Sequence, residues 1–131
     1  MKKWLILIAA IIMLIILWHI PERVKVTDVQ SGKVVFRYGE SNVDEMLSLS
    51  DLSSIKKMFS GKVVYKDMPA CGFSESVSIQ LNGGSQVFFV ACDGCGLVYW
   101  KEADKYFRLY SFEKELLHSI LKSYGFSFPC V

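Results

Sequence analysis

The spacing of hydrophobic positions changes several times along the chain, and each change marks an expected element. From Trp4 to Trp18 the residues are uninterrupted in their apolar character, with a helix boundary signalled at Pro21. Beyond Pro21 the pattern alternates. Val24 and Val26, then Val34, Phe36 and Tyr38, flank Gln30-Ser31-Gly32, which predicts a β-hairpin over residues 21–41. Asn42 followed three residues later by Glu45 resembles a capping box, and Leu52, Ile55, Met58 and Phe59 then recur at helical spacing before Gly61. A helix is expected there, with Lys56 and Lys57 suiting the negative end of its dipole and a break near Ser48–Ser50 that divides it in two.

Strand patterns follow. Lys62 to Lys66 is a short β-branched and aromatic run, and Val77, Ile79 and Leu81 alternate with polar residues. Asn82-Gly83-Gly84 turns the chain into 86–91, Asp93-Gly94 is a hairpin signal leading into 97–101, and a polar turn at 102–105 precedes 106–110. Phe112, Leu116, Leu117, Ile120, Leu121 and Tyr124 make one apolar stripe, with Glu113 and Glu115 in the first turn and Gly125 as the stop. The expected fold class is α+β: an N-terminal transmembrane helix, then an antiparallel β meander of about five to seven strands packed by one or two helices. Residues 1–20 form the anchor, 21–41 a membrane-proximal hairpin and 42–131 the α+β domain. The echo of Ser31-Gly32-Lys33-Val34-Val35-Phe36 in Ser60-Gly61-Lys62-Val63-Val64-Tyr65 is too short for a repeat architecture, because turn-then-strand grammar produces it equally well.

The N-terminal run defines the lipid bilayer as a partner. Residues 4–20, at about 1.5 Å each, give roughly 25 Å as a helix, which is just enough to cross a hydrocarbon core. Lys2 and Lys3 would also serve as the basic region of a secretory leader, but Leu17-Trp18-His19-Ile20-Pro21 lacks the small residues a signal peptidase requires. Trp4 and Trp18 stand at the two ends, where indole favours the membrane interface. The basic N-terminus favours a single-pass signal-anchor with its N-terminus cytoplasmic and its domain extracytoplasmic, although Arg23 and Lys25 on the far flank weaken the asymmetry.

The 131-residue chain supports one domain, since removing the first 20 residues leaves enough for a single modest core. Of 15 Lys and Arg, two precede the apolar run, so residues 21–131 carry 13 basic residues against 13 acidic ones. That balance argues against a nucleic-acid partner, whose phosphates call for a clear cationic excess.

Chemistry concentrates in the four cysteines. Cys92-Asp93-Gly94-Cys95 has the form of a zinc knuckle, and Cys71 and Cys130 would complete an all-thiolate structural zinc site. In an oxidising compartment the same four predict two disulfides, Cys71–Cys130 and Cys92–Cys95, the first of them stapling the C-terminal tail. A redox function for Cys92 and Cys95 is the third reading, but the thioredoxin arrangement puts such a pair at a helix N-terminus, whereas this one precedes a strand.

Other catalytic equipment is missing from the sequence. There is no Gly-rich phosphate loop, HExxH or serine elbow, and His19 and His118 are not placed to serve a nucleophile. Asp44 with Glu45, and Glu113 with Glu115, read as solvated charges, and no catalytic or cofactor-binding residue is assigned. Tyr99, Trp100, Tyr106, Phe107 and Tyr110 supply either a core or a recognition surface.

Cys71-Gly72-Phe73, Cys92-Asp93-Gly94-Cys95 and Phe128-Pro129-Cys130, preceded by an amphipathic helix, together resemble a group of small uncharacterised bacterial proteins over residues 50–131. The resemblance implies a bacterial source and no activity. Two functional classes follow from the residues: a membrane-anchored, non-enzymatic binding or inhibitory module of the immunity type with a protein partner, or a thiol redox component using Cys92 and Cys95.

Overall fold

The computed structural model describes residues 1–38, 40–91 and 94–128. Among the described residues three α-helices, one short 3-10 turn and six strands make up an α+β fold. Helix α1 spans Lys2–Trp18, 17 residues, none of them buried. No helix among the described residues is long and apolar enough to cross a membrane. The expected transmembrane helix is thus present as a helix but stops at Trp18, where His19 leaves helical geometry two residues ahead of Pro21. At about 1.5 Å per residue it falls short of the ~20 residues a bilayer core usually takes.

The sheet is antiparallel throughout, with strands β1 (Gly32–Tyr38), β2 (Ser41–Met46), β3 (Phe73–Leu81), β4 (Gln86–Ala91), β5 (Leu97–Trp100) and β6 (Lys105–Arg108) in spatial order β2-β1-β3-β4-β5-β6. Two sequence expectations change here. The hairpin is β1 with β2, Val35 facing Asp44 and Phe36 facing Val43, so Asn42 and Glu45 belong to a polar edge strand and not to a helix start. Val24 and Val26 are buried, as alternation implied, but their neighbour is the 61–65 segment. The Val24 amide donates to the Lys62 carbonyl at 2.9 Å, and Arg23 bridges Val63. Lys62 to Lys66 therefore forms isolated bridges, the second from Tyr65 to Tyr106 at the β6 edge.

Helix α2, Leu49–Phe59, begins at Ser48, whose hydroxyl accepts from the Asp51 amide at 3.1 Å. Ser48 is an N-cap, and the expected break near it is a helix start. Helix α3, Ser111–Ser123, ends beside Gly125, whose φ of +94° lets the Phe126 amide reach back to the Leu121 carbonyl at 3.1 Å. Its stripe is only partly covered: Leu117, Ile120 and Leu121 are buried, whereas Phe112 and Leu116 are exposed. The phenol of Tyr124 joins the two helices, accepting from the Ser48 amide at 2.9 Å and donating to Asp51 at 2.8 Å.

Both helices lie on one sheet face. Val34, Phe36, Ile79, Phe88, Val90, Val98 and Phe107 from the sheet meet Leu52, Ile55, Phe59, Leu117 and Leu121 in a single core, which also takes in Val24, Val26 and Val29. Packing is tight at Gly32, where a Cβ would come within 2.8 Å of Leu81, 2.9 Å of Leu47 and 3.1 Å of Leu52 of α2. Adding even a methyl group there forces packed leucines to move.

Candidate functional site

Because strand side chains alternate, the residues between those core positions face the other way. Register aligns them into one row: Val35 opposite Ser78, Ser78 opposite Phe89, Phe89 opposite Tyr99, and Tyr99 opposite Tyr106. No helix covers this face among the described residues, yet Val35, Ser78, Phe89 and Tyr106 are buried on it and Tyr99 is half-buried. At the β5–β6 end it becomes aromatic, with ring centroids 5.9 Å apart for Phe89 and Tyr99 and 4.9 Å apart for Tyr99 and Tyr106.

A local irregularity in β3 brings a further ring onto this cluster. Between the pairs Phe73–Ala91 and Ser78–Phe89 the register shifts, five residues on β3 spanning two on β4. The excess bends the chain, as in a β-bulge, and sets Phe73 5.5 Å from Tyr106 and 6.3 Å from Tyr99. The result is a groove of about 380 Å³ lined by Met68, Cys71, Phe73, Ser74, Glu75, Phe89, Tyr99, Asp104 and Tyr106. Two exposed carboxylates sit in its lining, Glu75 and Asp104. The Tyr99 hydroxyl donates to Asp104 at 2.9 Å, and this bond, followed by partial desolvation and the Asp104 charge, pushes the phenol up to about 12. Tyr99 is therefore a neutral donor at physiological pH and not a base.

The disulfide lies at one end of the groove and joins Cys71 to Cys95, with α-carbons 6.6 Å apart. This replaces the expected pairings Cys71–Cys130 and Cys92–Cys95. The reason is topological: pairing Phe73 with Ala91 carries Cys71 past the end of β4, into the turn that returns toward β5. Cys92, Asp93 and Cys130 lie outside the described residues. A four-thiolate zinc site would require Cys71 and Cys95 as ligands, and in the disulfide neither supplies a thiolate. The described residues contain no cluster of three or more His, Cys, Asp or Glu side chains placed to hold a metal ion. A dithiol cycle between Cys92 and Cys95 has the same obstacle, since Cys95 is bonded to Cys71.

Of the aromatic residues singled out in the sequence, Tyr99 and Tyr106 reach the groove. Phe107 is wholly buried in the core, Trp100 stacks on Phe88 on the helix side, and Tyr110 is exposed at the start of α3. Phe73, Phe89, Met68, Glu75 and Asp104 escaped sequence reasoning. For Phe89 the signal was its alternation with Phe88 and Val90 in β4. For Phe73 no local pattern announced the bulge.

Glu113 also departs from expectation. Glu113 is 8% exposed, not solvated, and accepts from Lys62 at 2.5 Å and from the Tyr110 amide at 2.9 Å. His118 stacks on Phe128, with centroids 3.9 Å apart. Burial, then the neighbouring Lys114 and Lys122, lower its pKa from the usual histidine value.

Comparison of the chain with protein-family profiles, curated proteins and solved structures finds no match.

Proposed function

We propose that this protein is a membrane-anchored, non-enzymatic binding or inhibitory module, held by α1 and recognising a protein partner through the aromatic groove. The groove is the observation that carries the reading. Four rings, Phe73 and Tyr99 half-buried and Phe89 and Tyr106 buried beside them, meet two exposed carboxylates on a sheet face that no helix covers among the described residues, and tyrosine is favoured at recognition hot spots.

The anchor rests on α1. From Trp4 to Trp18 it has no charged residue, and its side chains are exposed throughout, an arrangement that water penalises and lipid does not. A helix a few ångströms short of the hydrocarbon core is accommodated by local thinning, at fractions of a kcal/mol per ångström. The N-terminal lysines favour a cytoplasmic N-terminus and an extracytoplasmic domain, the compartment in which a Cys71–Cys95 disulfide persists.

The test is carbonate extraction of the full chain combined with site-specific photocrosslinking. A photoreactive residue at Met68, 82% exposed at the groove, should capture a partner that one at Asn82 does not, and Tyr99→Ser should abolish the adduct. Equal capture from both positions would refute the groove as the recognition surface.

A further inference from the structure

A second surface lies at the other helix pair. Tyr110 is 66% exposed, Phe112 69% and Leu116 44%, and the rings of Tyr110 and Phe112 stack at 6.0 Å. Phe112 and Leu116 border a shallow groove with Ser54, Lys57 and Met58 of α2. Stacked, exposed aromatic rings beside apolar side chains are costly in water and mark a contact surface.

The position of this patch relative to α1 identifies what covers it. Five residues, 19–23, separate the end of α1 from Val24, six Cα steps with a reach of at most about 21 Å when extended. Val24 is held to the 61–62 backbone by two hydrogen bonds of 2.9 Å, and the Lys62 side chain passes directly to Glu113 and over the Tyr110 ring. The patch is therefore tied, through one short chain of contacts, to the point where the chain leaves α1. Charge beside the patch is mixed, with Glu115 an exposed carboxylate next to Leu116. Lys62 and Glu113 neutralise each other, while Lys57 and Arg23 are exposed cations nearby, Arg23 being held to the Gly61 carbonyl at 2.8 Å.

We infer that Tyr110, Phe112 and Leu116 rest in the interfacial layer of the membrane that α1 enters, with Arg23 and Lys57 facing anionic headgroups. The inference depends on the membrane reading of α1 and adds to it a defined face of the domain. Aromatic rings lower the free energy of such contacts at headgroup depth, and basic residues strengthen them on anionic lipid.

The full chain, reconstituted into phosphatidylglycerol nanodiscs, carries p-benzoylphenylalanine at position 112 or, as a control, at Leu49, an 84%-exposed residue at the opposite end of α2. On irradiation, position 112 should give lipid adducts several-fold more often than position 49. Lys57→Gln with Arg23→Gln, or phosphatidylcholine in place of phosphatidylglycerol, should reduce that yield. Equal labelling at the two positions in a chain that carbonate does not extract overturns the inference and leaves the anchor standing. Release of the chain by carbonate overturns both.

Discussion

Lys62 Nζ lies 2.5 Å from Glu113 Oε2 and 3.8 Å from the centroid of the Tyr110 ring, with side chains only 13% and 11% exposed for the ion pair. One residue comes from the segment that receives the incoming chain and the other from the first turn of α3, so the pair holds two ends of the domain together. Lys62→Met leaves a buried carboxylate whose main partner is gone and should cost about 3 kcal/mol in urea unfolding. Lys62→Met with Glu113→Met should recover much of that loss. Two neutral single variants would show that the pair is not buried in solution.

Cys71→Ser should destabilise the domain by about 3.5 kcal/mol, the chain-entropy value for a loop closed across 24 positions. Non-reducing peptide mapping should recover the Cys71 and Cys95 peptides linked to each other. Cys130→Ser should leave that link intact. A Cys71–Cys130 peptide in the wild type would contradict the pairing.

Tyr99 should titrate near 12 in an alkaline absorbance titration. Replacing its acceptor, Asp104→Ala, should return it toward the ordinary value of 10.0. Its raised pKa means that the folded state favours the neutral phenol. That contribution to stability is intact below pH 10 and disappears as pH climbs through about 12. An unchanged titration in Asp104→Ala would remove the hydrogen bond as the cause.

His118 behaves in the opposite sense. Its pKa lies below the usual 6.5 because burial, Lys114 and Lys122 all disfavour the cation. The fold thus gains from a neutral imidazole above pH 6.5 and loses this gain as pH falls through the lowered value. Proton NMR should place His118 below 6.5, and Phe128→Ala, which uncovers the stacked ring, should bring it back up. A His118 pKa above 6.5 in the wild type would contradict this account.

Elements whose evidence is local were legible in the sequence. α3, with its stripe and Gly125 stop, and β4 and β5, with their runs bounded by turns, formed close to where periodicity placed them. β2 was misread because Ser41–Met46 holds one inward apolar residue, Val43. A polar edge strand has no period to detect, and Asn42 and Glu45 mimic a cap. Val24 and Val26 were correctly expected inside, yet alternation cannot name a strand's neighbour, which proved to be Lys62 and Val63 and not β1. The groove and the Cys71–Cys95 bond share one cause. Both depend on the register shift after Phe73, a relation between β3 and β4 that neither segment encodes alone.

The attachment of Val24 to Lys62 has a mechanical consequence. The Glu22 carbonyl already accepts from the Val64 amide at 3.1 Å, and the Glu22 carboxylate is bonded to Lys105, so slack between α1 and the domain is confined to residues 19–21, one of which is Pro21. A tug on α1 loads the 61–65 segment first and, through the Tyr65–Tyr106 bridge, the edge of β6. Tilt and rotation of α1 reach the domain through residues 19–21 alone. The two behave as a lever with a stiff joint, and lengthening residues 19–21 with glycine and serine converts that joint into a swivel.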